Sequence, residues 1–161
     1  MASYNDTFIA RFKKRYFQIM KEKLGLYNQE IDDTSLILRM FSAMLSEKID
    51  YTSFFYRLSK GDFSFIETHQ LKVWLDMYKN RLENETLNTK ERLRKMRKIN
   101  PKYILRNYML QDAIDAAEQG DFTLVHDFLK IAHNPYGEWE EYEKYIQPKI
   151  GWEPLKCSCS S

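Results

Sequence analysis

The sequence predicts an all-α fold: a multi-helix bundle ending in an αα-hairpin and an extended aromatic C-terminal tail. Three observations carry this. Apolar residues recur at three- and four-residue intervals along almost the whole chain, the spacing that lines one face of a helix. No stretch alternates apolar and polar residues as a half-buried strand does. Glycine and proline, with 5 and 4 copies in 161 residues, are too scarce for turn-rich β architecture. A hydrophobic share of 43% against 30% charged residues makes the chain globular, with enough material for one sizeable core. Aromatics supply 15% of the residues, so that core is built partly from Tyr and Phe.

Taken in order, Phe8, Phe12, Tyr16, Met20 and Leu24 recur every fourth residue, and Gly25 supplies a helix stop. Asp33 or Thr34 can cap a second helix with the stripe Leu36, Ile37, Met40, Phe41, Met44 and Leu45. A short helix follows around Thr52 to Leu58, broken at Gly61-Asp62. Ile66 to Leu82 comes next, with Leu71, Trp74, Leu75, Tyr78 and Leu82 on one side. Asn88 or Thr89 starts a basic helix through Lys98. Asn100-Pro101, a cap residue before a proline, reads as the start of a helix through Ile104, Leu105, Tyr108, Met109, Ala113, Ile114 and Ala117. Gly120 stops it, and Asp121 caps Phe122 to Ala132 with Leu124, Val125, Phe128 and Leu129 inward. From Asn134-Pro135 the periodicity fades into a segment carrying Tyr136, Trp139, Tyr142, Tyr145 and Trp152. The expected organisation is a helical domain over 1–134 and an extended tail over 135–161, lying on a surface because of its aromatic density.

The net charge is only +2, so the whole-molecule field makes no case for nucleic acid or an anionic membrane. Its distribution is uneven. Arg11 to Lys23 and Lys90 to Arg106 are basic, while Asp112 to Asp127 and Glu138 to Glu143 are acidic, which serves internal docking as readily as an external partner. The best apolar run, Leu36 to Leu45, is interrupted by Arg39 and too short for a bilayer. The N-terminus places apolar residues before basic ones, unlike a secretory signal. Two cysteines do not make a disulfide scaffold, so a reducing, cytoplasmic compartment is expected.

The candidate chemistries differ in weight. Gly25, Gly61, Gly120, Gly137 and Gly151 are all isolated, so the chain has no phosphate-cradling loop. Cys157, Cys159, His126 and His133 are ligand types that suit zinc, but C-x-C and two histidines seven apart do not match structural zinc spacing, and no metal is expected. Nothing fixes a base beside either cysteine, which argues against a cysteine hydrolase and leaves no catalytic residue to assign. Lys90, Arg92, Arg94, Lys95, Arg97, Lys98, Lys102 and Arg106 form a cationic stripe with Tyr103 and Tyr108 nearby. The acidic helix that follows dilutes its field, and a docking surface on Arg92, Arg94, Arg97, Lys98 and Arg106 is the preferred reading over nucleic acid. The terminal "KCSCSS" remains. A Cys157–Cys159 bridge would close a small strained ring that is easily reduced.

From Asn100 on, "NPKYILRNYMLQDAIDAAEQGDF", then "NPYGEWEEYEKY", then Trp152 and "SCSS", resemble the C-terminal region of selenoprotein O-like proteins. "KLGL", "DYTSFFYRLS" and "VWLDMYKNRL" resemble the segment just before it. The resemblance implies a pseudokinase, a protein-kinase-like fold that binds ATP with Mg2+ and transfers AMP to hydroxyl side chains of other proteins. It implies selenocysteine or cysteine third from the C-terminus, the position of Cys159. Cys157 is no general feature of that family and is expected to act as the neighbour or resolving thiol of Cys159. Relatives are cytoplasmic in bacteria and mitochondrial in eukaryotes. The family's glycine-rich loop, ATP-contacting lysine and arginines, and metal-binding Asn and Asp have no counterpart here, so no catalytic residue carries over and no cofactor is expected in this chain. The implied partners are the kinase-like core of a parent protein and that protein's substrates. A fragment, a split-gene product and an independent protein all remain open, as does a free-standing helical interaction module without redox or catalytic role.

Overall fold

The computed structural model describes residues 4–28, 30 and 32–149, and among these every regular element is helical. The chain forms two compact units, Met1–Asn100 and Pro101–Ser161. The division falls thirty-four residues earlier than the 134/135 boundary at which periodicity fades, because the segment after 134 packs on the two helices before it.

The first unit holds α1 (Tyr4–Leu24), α2 (Asp33–Ser46), α3 (Tyr51–Ser59), α4 (His69–Leu82) and α5 (Thr89–Arg97). Three starts are side-chain caps of the usual kind. Asp50 accepts from the Ser53 amide, Thr68 from Leu71 and Asn88 from Glu91, each satisfying an amide the helix leaves orphaned. α2 departs from expectation: neither Asp33 nor Thr34 caps it, because Asp33 is the first helical residue and its carboxylate is used in ion pairs. Gly25 ends α1 at φ +71°. A Cβ there would lie 2.7 Å from Met96 Sδ and 2.8 Å from Arg92 Cγ, so both the conformation and the space demand glycine.

The core is one cluster around Leu24, Ile37, Met40, Phe54, Leu71, Trp74 and Met96. Its polar atoms are paired. Trp74 Nε1 donates to Leu36 O at 3.2 Å, and Tyr78 Oη donates to Leu24 O at 2.7 Å. The two rings stack at 5.1 Å, so α4 fastens the ends of α1 and α2 while burying its own aromatics. Burial pushes the Tyr78 hydroxyl up to about 12, so it stays a donor throughout the physiological range.

The second unit holds α6 (Asn107–Glu118), α7 (Thr123–His133) and a 3-10 helix over Glu140–Tyr145. The short-turn hairpin is as expected, with Gly120 at φ +86°, but α7 starts one residue later than its spacing implied: Phe122 holds the N-cap position, and Asp121 accepts from the Thr123 amide at 2.9 Å. Two expectations are corrected. Asn100-Pro101 does not start a helix; α6 begins at Asn107. The Lys102 and Tyr103 amides instead donate to Pro135 O at 2.9 and 3.1 Å, and Asn100 Nδ2 donates to Lys23 O at 2.9 Å, capping α1 from outside. The segment from 135 is not merely extended, because its 3-10 helix buries Tyr142 and Tyr145. Tyr142 Oη donates to Asp127 at 2.6 Å, and the Tyr145 ring meets Phe128 edge-on at 5.1 Å. Buried Lys102 pairs with Glu138 at 2.8 Å and with Glu143, stitching the return segment to the approach to α6.

Candidate docking surfaces

The cationic surface is smaller than the sequence implies. Arg92 is a correction: it is buried, with Nη1 3.3 Å from Tyr78 Oη and 3.8 Å from Met96 Sδ. It faces inward because Leu93 and Met96 alone are too few to seat so polar a helix, and the Arg92 stem fills the space beside Gly25. Arg106 lies in the second unit, half-buried, and donates from Nη2 to Ile146 O at 3.1 Å. Arg94, Arg97 and Lys98 remain exposed on α5 and its end, with Arg97 also donating to Ser59 O at 3.3 Å. His126 and His133 are exposed, and among the described residues no group of three or more His, Cys, Asp or Glu is placed to hold a metal ion. Cys157 and Cys159 lie outside the described residues.

A buried ion network occupies the junction of α1, α2 and α4. The Asp33 carboxylate receives Lys21 Nζ at 2.8 Å and Arg81 Nε at 2.6 Å. Arg81 also reaches Glu85 at 2.9 Å and Asn28 O at 2.8 Å, while Glu85 accepts from the Tyr27 and Asn28 amides. Burial alone would raise the Asp33 pKa, but the hydrogen bonds from Arg81 and Lys21 outweigh it and hold the carboxyl below its usual range. The opposing carboxylates raise Arg81 against its own desolvation. The charged groups of this network face one another, so it fastens the α1–α2 connection.

Two uncovered apolar surfaces stand out instead. On α1, residues 6–16 are all exposed, and the stripe Phe8, Ile9, Phe12 and Tyr16 shows 59%, 48%, 60% and 37% of its surface to solvent. On the α6–α7 hairpin, a groove of about 360 Å3 is lined by Leu105, Leu110, Ala113, Ile114, Ala117, Val125, Phe128 and Leu129. Leu110, Ile114 and Leu129 are largely exposed in it, so Leu129 does not point inward as its spacing implied. The sequence carried one missed signal for this groove: α6 is apolar at 108–110, 113–114 and 116–117, too broad an arc for α7 and the return segment to cover. Contiguous exposed apolar surface of this kind marks interaction sites. No described helix is long and apolar enough to cross a membrane.

The described residues therefore define an all-α protein with one uncovered apolar surface in each unit. The family is more specific: the chain belongs to the family described as protein adenylyltransferase SelO, whose model matches residues 1–133. A protein nucleotidyltransferase YdiU of Vibrio vulnificus is 39% identical across 100% of this chain and 35% of its own length. Those of Flavobacterium johnsoniae and Pseudomonas fluorescens are each 34% identical, over 99% and 96% of this chain and 34% of their own lengths. The chain thus spans about a third of the length of the curated relatives it matches.

Proposed function

We propose that this chain is the C-terminal helical part of a SelO-type protein that transfers AMP from ATP to hydroxyl side chains of other proteins. The observation that carries the reading is the combination of full-length similarity to nucleotidyltransferases with coverage of only about a third of them. The residues present do not fit ATP or Mg2+: the glycines are isolated, and the polar clusters among the described residues are internally paired. In this reading the nucleotide chemistry, cytoplasmic as in bacterial relatives, belongs to a kinase-like pseudokinase core that the chain itself lacks. The helices supply packing surface, and Cys159, with Cys157 as neighbour or resolving thiol, supplies a reactive terminal group. The helical make-up and uncovered apolar faces support the packing role, while the thiol role rests on the position of Cys159 in the resemblance.

Incubating the chain with labelled ATP, magnesium and a generic protein acceptor is expected to give no labelling, and robust labelling would sink the non-catalytic role. Alkylation kinetics test the thiol separately. Cys159 is expected to react faster than glutathione, and a rate no faster than glutathione removes the redox role.

A further inference from the structure

Resting on that reading, we propose that the aromatic stripe on residues 6–16 of α1 is a docking ridge. Its seat is an apolar groove, rimmed with carboxylates, on the part of the family polypeptide that this chain does not contain. Three observations converge on it. The ridge is an outward extension of the core. Phe8 and Phe12 lie 6.4 Å apart, Phe12 and Tyr16 6.1 Å, Tyr16 and Phe41 6.3 Å, and the ladder continues through Tyr51 to Phe55, which is 1% exposed. These eleven residues extend a 21-residue helix beyond its packed half, so they are the part of α1 that opens most readily. Helical spacing also places Arg11 and Arg15 along one edge of the stripe and Lys13 along the other.

The charge selects the occupant. Residues 6–16 carry four cations and one carboxylate, so a second copy of the ridge would meet like charge, whereas an acidic rim is complemented. A bilayer is disfavoured at the inner end of the stripe, where Tyr16 already meets Phe41 of α2. The remaining polypeptide is the partner already implied by coverage of 35% of a relative that matches all of this chain, ridge included. An aromatic ridge flanked by cations then reads as a helix-in-groove contact.

The test grafts this chain into the Vibrio vulnificus relative in place of the segment it matches, and follows amide hydrogen exchange of residues 6–16 together with AMP labelling. Exchange there is expected to be at least about tenfold slower in the graft than in the free chain. Phe12→Asp should restore fast exchange, and the charge reversal Arg11→Glu/Arg15→Glu, on exposed positions that the fold does not need, should restore it in part. A graft that labels acceptor while residues 6–16 exchange as fast as in the free chain overturns the ridge and leaves the functional reading standing. A folded graft with a protected ridge and no labelling does the reverse. A graft that fails to fold overturns both. Slow exchange in the free chain that grows with its own concentration assigns the ridge to a second copy and overturns this proposal.

Discussion

The two halves of α1 share one rhythm and meet opposite fates. In the second half, Met20 and Leu24 are 4% and 0% exposed, Lys21 pairs with Asp33, and Asn100 captures the Lys23 carbonyl. In the first half the same four-residue spacing carries Phe8, Phe12 and Tyr16 into solvent. Nothing in the apolar spacing distinguishes them, because periodicity reports which face of a helix is apolar and not whether anything covers it. The covered half has its partners in α2, α3 and α5, with Tyr78 of α4 on the Leu24 carbonyl. The open half leaves its apolar surface exposed.

That contrast can be broken from the seated side first. Asp33→Ala leaves Lys21 and Arg81 facing each other without their shared carboxylate, in side chains only 14% and 9% exposed. Loss of one member of such a set is expected to cost about 3–5 kcal/mol, read as a lowered denaturant midpoint of the first unit. Leu24→Ala, at a site with no exposed surface, should cost about 2–5 kcal/mol on the same measure. Asn100→Ala, which orphans the Lys23 carbonyl, should cost about 1–3 kcal/mol. In the free chain, Phe12→Ala should change stability by no more than about 0.5 kcal/mol, because no contact beyond the ring ladder is lost. A large loss there would mean the first half is already seated.

Acid sharpens the same contrast. Asp33 is held below its usual pKa in the folded state, so its contribution is fully present above the unfolded carboxylate value near ~4. It is lost as pH falls through the lower folded value. Stability of the native chain should therefore fall below about pH 4, and Asp33→Asn, itself less stable, should fall less steeply over that range. Equal slopes would remove the ion network from the account of the seated half.

Much of this was legible from residues. The apolar stripes mark α1, α2 and α4, Asn88 shows as a helix start, and Gly120 with Asp121 marks the hairpin turn, whereas the caps at Asp50 and Thr68 emerge only in the structure. The failures have physical causes. Asn100-Pro101 carries every local signal of a helix start, yet the Asn100 amide group is worth more on the Lys23 carbonyl, seventy-seven residues away. Arg92 looks like one cation among eight, and only the missing side chain at Gly25 makes room to bury it. Tyr136, Trp139, Tyr142 and Tyr145 recur every third residue, the period of the 3-10 helix that buries the last two, which a 3.6-residue template does not register. Of the surfaces, the cationic one was half legible, and the α1 ridge and α6–α7 groove were visible as apolar residues but not as exposed ones. Exposure is a property of neighbours, which apolar spacing along one chain does not report.

The central claim is that this chain works as the helical, non-catalytic third of an AMP-transferring protein. It is tested most directly by labelled-AMP transfer from the Vibrio vulnificus relative carrying this chain in place of its matching segment, set beside the free chain. The account predicts labelling of a protein acceptor by the graft and none by the free chain. A correctly folded graft that transfers no AMP, or a free chain that transfers it unaided, would contradict the account.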